Sequence, residues 1–61
     1  MEEVVKALDE AINYIDKLES VLSRLRPGEQ LTPGALYQIY ELLMLTREKV
    51  VEARLKALAP Q

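Results

Sequence analysis

From Val4 to Leu25, apolar residues recur at Val4, Leu8, Ala11, Ile15, Leu18, Leu22 and Leu25, in alternating steps of four and three. That is the a/d seam of a heptad, and it predicts a helix over about residues 2–25. Val5 and Ile12 widen the stripe on one side, and Ala7, Tyr14 and Val21 widen it on the other. The polar residues from Glu2 to Arg24 share the opposite face. A stripe wider than a and d belongs to a bundle helix that touches more than one neighbour. Glu2 and Glu3 stand at the positive end of the helix dipole, and Arg24 and Arg26 at its negative end.

Residues 26–32 read as the connection. Arg26-Pro27-Gly28-Glu29 stops the helix, because proline cannot continue it, and Pro-Gly at the centre of four residues fits a type II turn with glycine at positive φ. Thr32 is a good N-cap, followed by Pro33 at the first helical position. Leu31 before the cap and Leu36 after it form a hydrophobic staple pattern. So short a loop makes the two helices antiparallel neighbours.

The second helix is predicted over about residues 33–59, with Pro60 marking its end. Its a/d series is Leu36, Ile39, Leu43, Thr46, Val50, Ala53 and Ala57; a second row, Tyr37, Tyr40, Met44, Val51, Leu55 and Leu58, lies beside it. At about 100° per residue the two rows cover an arc of roughly 220°. Gln38, Glu41, Glu48, Lys49, Glu52 and Lys56 hold the remaining face, with Leu45 exposed among them. One neighbouring helix cannot cover so wide an arc. The expected fold is therefore all-α: a single domain over residues 1–61, an antiparallel two-helix hairpin that self-associates into a four-helix bundle. A homodimer is the first expectation and a homotetramer the alternative. The interface set is Leu36, Tyr37, Ile39, Tyr40, Leu43, Met44, Arg47, Val50, Val51, Arg54 and Leu58.

Chain length sharpens that expectation. A chain of 61 residues buries only about 60% of the surface it exposes when unfolded. Small domains compensate with disulfides, a metal or a partner chain. Cysteine and histidine are both absent, which removes disulfide and zinc staples and leaves the partner chain. A net charge of −2 with interspersed signs gives no long-range pull on nucleic acid. The longest apolar runs, such as Leu42 to Leu45, are too short to span a bilayer, and the acidic start is the reverse of a secretory signal. A soluble cytoplasmic protein with no membrane partner is the expectation. Abundant Leu, Glu, Lys and Arg with a single Asn lean toward a thermophilic source.

Arg47 and Arg54 interrupt the pattern. They stand seven apart, in the middle of the apolar arc of the second helix, where an unpaired buried charge is costly. Three readings compete. Each guanidinium leaves the seam along its aliphatic stem and meets a carboxylate from helix 1 or from a partner chain, with Glu2, Glu3, Asp9, Glu10 and Glu19 as candidates. Alternatively the arginines set the register of a dimer, as one polar group at a core position can. In the third reading they hold an anion in the bundle interior, doubled by symmetry.

Other candidate chemistry is weaker. Tyr14, Tyr37 and Tyr40 suit an interface rim, apolar in body and polar at the tip; as a stacking platform for bases they lack surrounding basic residues. No Glu-x-x-His pair marks a di-iron bundle. Glu48 and Glu52 share a solvated face, and Ser20, Ser23, Thr32 and Thr46 have no histidine to activate them. No catalytic, cofactor-binding or metal site is expected. The leading function is that of a self-associating helical interaction module or scaffold that binds another, larger protein, with Leu42 and Leu45 near the charged face as the hint of an extra contact. In architecture alone such a dimer resembles the plasmid-encoded Rop-type proteins, which implies nucleic-acid binding as one alternative, although no motif is shared and the charge counts against it. A bundle that takes a small anionic ligand through Arg47 and Arg54 is the other.

Overall fold

The capping signals in the sequence set where each helix begins and stops. In a computed structural model, which describes residues 1–59, α1 spans Glu2–Ser23 and α2 spans Pro33–Leu58. The helices pack along their length as an antiparallel hairpin of 50 × 16 × 13 Å. α1 stops at Ser23 rather than Leu25. Its last turn tightens, with the Arg24 and Leu25 amides donating to the Val21 and Leu22 carbonyls, as helix termini often do. No basic residue therefore lies in the last turn of α1; Arg24 is the cap itself, and its guanidinium reaches back to the Ser20 hydroxyl at 3.4 Å.

The turn forms as expected. Gly28 adopts φ of 81°, and the Glu29 amide donates to the Arg26 carbonyl at 3.0 Å. The Glu29 carboxylate in return accepts from the Arg26 amide at 3.0 Å. At the start of α2, Thr32 Oγ1 accepts from the Ala35 amide at 3.1 Å, satisfying one of the free N–H groups of the first turn, and Pro33 fits where no donor is needed. Leu31 and Leu36 both remain about half exposed, so the staple covers little. Ala59 is extended; Pro60, the expected terminator, lies outside the described residues.

The seam differs from the expected one by a rotation of both helices. The buried residues are Ala7, Ala11, Val21, Leu42 and Ala53. Val4, Tyr14 and Leu18 on α1, Leu25 just beyond it, and Ala35, Ile39, Leu45, Thr46 and Lys49 on α2 flank them, all half-buried. The hairpin therefore uses the frame Val4-Ala7-Ala11-Tyr14-Leu18-Val21-Leu25. Leu8, Ile15 and Leu22, read from sequence as seam residues, are exposed. Leu42 and Leu45, read as an outward contact, face the partner helix instead: Leu42 is only 8% exposed. Small side chains at a helix contact let the two axes approach closely, which is the physical reason for the alanine frame. Thr46 fits the seam because its hydroxyl donates to its own helix, to the Leu42 carbonyl at 2.7 Å.

One ion pair joins the two helices. Lys49 Nζ lies 2.7 Å from Glu10 Oε2 and 3.4 Å from Glu52 Oε2. The hydrogen bond from Lys49 holds the Glu10 carboxyl below its ordinary value against the opposing effect of partial burial, with the charges of Lys49, Lys6 and Lys56 helping. The same bond to Glu10 holds Lys49 above its ordinary value, again against burial, with Glu52 adding to it. A lowered acid stabilises the fold above the ordinary carboxylate range and ceases to as pH falls through its lowered value. A raised amine stabilises it below the ordinary lysine range and ceases to as pH rises through its raised value. The pair thus contributes fully between about pH 5 and about pH 10.

Two outcomes follow for melting experiments. Glu10→Gln should lower Tm modestly at pH 7, because the pair is partly exposed; the gap should close as pH falls through the lowered carboxyl value and shrink in molar salt. Thr32→Ala should cost about 1 kcal/mol through the lost cap, read by denaturant titration.

Candidate functional site

Because the hairpin buries its alanine frame, its larger apolar residues face outward. On α1, Met1, Val5, Leu8, Ile12, Ile15 and Leu22 are exposed. On α2, Leu36, Tyr37, Tyr40, Leu43, Met44, Val50, Leu55 and Leu58 are exposed, Leu43 at 50% and Leu58 at 75%. These are side chains that a monomeric domain normally buries. Helical geometry brings them together. Relative to the buried stripe, the exposed stripes are turned by about 110° on α1 and about 125° on α2, in the same sense. Antiparallel helices turned in the same sense present both stripes on one side of the hairpin.

Nine of the eleven residues expected at an interface are exposed: Leu36, Tyr37, Tyr40, Leu43, Met44, Arg47, Val50, Arg54 and Leu58. Ile39 and Val51 are half-buried; Ile39 belongs to the hairpin seam. Sequence reading missed the α1 half of the face, because Leu8, Ile15 and Leu22 had been assigned to the seam. The signal that separates the two frames is side-chain size. Ala7, Ala11 and Ala53 suit the closer contact, and the branched residues suit a wider one.

Arg47 and Arg54 are exposed and stand within the apolar face. Neither makes an ion pair among the described residues. Glu10, one of their candidate counter-charges, is engaged by Lys49 instead. In α1 the matching interruption is Glu19, exposed between Ile15 and Leu22 on the same stripe. Three charged residues thus interrupt an otherwise apolar face, two cationic on α2 and one anionic on α1.

The opposite flank of the seam is polar. A shallow open groove there is lined by Lys17, Ser20, Arg24 and Gln38, with Val21 and Leu42 at its floor. Lys17 lies 5.6 Å from the centroid of the half-buried Tyr14 ring, a cation–π distance, and Arg24 leans on Ser20. Both cations are thereby partly engaged. Among the described residues no group of three or more carboxylates is placed to hold a metal ion, and no helix is long and apolar enough to cross a membrane.

A substitution tests whether Arg47 has a carboxylate partner within the chain. Arg47→Leu removes no intrachain ion pair and extends the apolar stripe, so Tm should hold or rise. A loss of several kcal/mol would reveal a stranded partner. No protein-family model, curated protein or solved structure matches the chain.

Proposed function

We propose that this chain is a non-catalytic, self-associating helical scaffold whose apolar face assembles a four-helix bundle, a homodimer in the simplest case, and whose remaining surface engages a larger protein. The observation that carries the reading is surface area. A compact chain of this mass exposes about 4,000 Å², whereas this one exposes 5204 Å². The surplus of about 1,200 Å² exceeds the roughly 800 Å² that each partner contributes to a standard specific interface. The radius of gyration agrees, at 14.6 Å against about 10.5 Å for a compact domain of this length. The hairpin core is thin, since three of its five buried residues are alanine, and an alanine offers little apolar surface to remove from water.

The distribution of charge favours protein over nucleic acid as the further partner. Phosphate contact needs a basic stripe, and the chain carries eight basic residues against ten acidic ones. Lys49 and Lys56 are already engaged with acids.

Concentration dependence is the direct test. Anything that binds only the folded chain raises stability by mass action, so Tm should climb with protein concentration and light scattering should return a multiple of 7.0 kDa. Ile15→Asp makes the same point by substitution. On a lone hairpin, an exposed position tolerates such a change within about 0.5 kcal/mol. On a covered face it should split the assembly and lower Tm by many degrees. A well-folded monomer with a concentration-independent Tm would overturn the proposal.

A further inference from the structure

We infer that the outward side of α2 is a second docking surface, separate from the face it shares with α1, and that it takes an amphipathic helix of another protein whose apolar seam is edged by carboxylates. The inference gives a place and a chemistry to the larger partner proposed above. It stands whether or not the chain self-associates.

The apolar arc of α2 is wider than that of α1. At about 100° per residue, Leu36, Leu43 and Val50 stand roughly 80–120° round from the buried Leu42, on the side shared with α1. Tyr37, Met44, Val51 and Leu58 stand about 160–220° round, on the side facing away from α1. These four repeat every seven residues, and Tyr40, Arg47 and Arg54 repeat beside them at the same interval. Together they form the a and d rows of a further heptad seam. Tyr37, Tyr40 and Leu58 are 71%, 64% and 75% exposed, so α1 covers little of it. A second copy seated on the shared face would leave the Tyr37–Leu58 row open as well.

Charge decides what can cover this row. Every residue three or four positions from Arg47 is apolar: Leu43, Met44, Val50 and Val51. The same holds for Arg54, with Val50, Val51, Ala57 and Leu58. Those are the positions from which a carboxylate on the same helix could reach them, and neither arginine makes an ion pair among the described residues. In the free chain both are exposed and solvated; a purely apolar cover would strip that water at a high cost. An acid-edged helix removes the difficulty. Two carboxylates one heptad apart, about 10 Å along its axis, can meet both guanidinium groups. Tyr37 and Tyr40, large apolar bodies with polar tips, are the kind of side chain that anchors a protein interface. A second copy of the same row is a poor occupant. Two such rows laid parallel about a twofold axis bring Arg47 and Arg54 against their own copies. Laid antiparallel, they bring the flanking edge of Glu41 and Glu48 against its own copy.

Fluorescence anisotropy of two labelled peptides against the full chain tests this. Both are helices of about three heptads with Leu in the seam; one carries two Glu a heptad apart along one edge, the other Lys at those positions. The Glu peptide should bind about tenfold or more tightly than the Lys peptide. The double variant R47E/R54E should reverse that order. Its circular dichroism should match the wild type, because both positions are exposed. Amide shifts caused by the Glu peptide should fall on Tyr37, Met44 and Leu58 rather than on Leu8 and Ile15. Equal binding of the two peptides, binding of neither, or shifts confined to the Leu8 and Ile15 face overturns the proposal. Shifts in the Tyr37–Leu58 row on concentrating the chain alone would assign the row to a second copy, and co-sedimentation with neutral lipid vesicles would assign it to a membrane; either result overturns it too. A light-scattering mass of one chain overturns only self-association and leaves this surface standing.

Discussion

Two helices can bury only one stripe each against one another, and which stripe they choose governs everything else in this molecule. Here the buried stripe is small: Ala7 and Ala11 on α1 meet a strip of α2 that contains Leu42 and Ala53. A seam of this kind favours close backbone approach over the quantity of apolar surface removed from water. Its consequence is that the branched residues Leu8, Ile15 and Leu22 on α1, and Leu36, Leu43 and Val50 on α2, lie together on one exposed face. The weakness of the hairpin core and the size of the outward face are the same fact.

Polar interactions then determine how that face is presented. The Pro27-Gly28 turn and the Thr32 cap fix where the chain reverses. The Glu10–Lys49 pair sits on the flank of the seam and bridges the helices. It is partly exposed and screened, so its contribution to stability is modest. The same flank, away from the apolar face, carries Lys17, Ser20, Arg24 and Gln38. The hairpin is thus polar on one side and apolar on the other, with the transition running along the seam.

Much of this was legible in the sequence, and the part that was not has a definite cause. The heptad steps of α1, the turn, the cap and the start of α2 were all readable because each depends on residues close together in the chain. The phase of the seam was not, because Val4, Ala11, Leu18 and Leu25 belong to two overlapping heptads. One is completed by Leu8, Ile15 and Leu22, and the other by Ala7, Tyr14 and Val21. Periodicity alone assigns the larger residues to the core. The fold does the reverse, and that exchange also turned Leu42 and Leu45 from an apparent surface feature into seam residues. The exposed position of Arg47 and Arg54 follows directly: they were read at the centre of an apolar arc, and the arc is present, but it faces away from α1. The function was not legible at all, because an apolar face carries no chemistry that a motif could record.

Charged residues on an apolar face also limit how it can be covered. A uniform stripe of Leu and Ile would accept a second copy in several registers, each one heptad from the next. Apolar contact supplies attraction without direction. A few charges that are tolerable in one register and repelled in another supply the direction. On the self-association proposed above, Arg47 and Arg54 lower the affinity of the face and raise its selectivity.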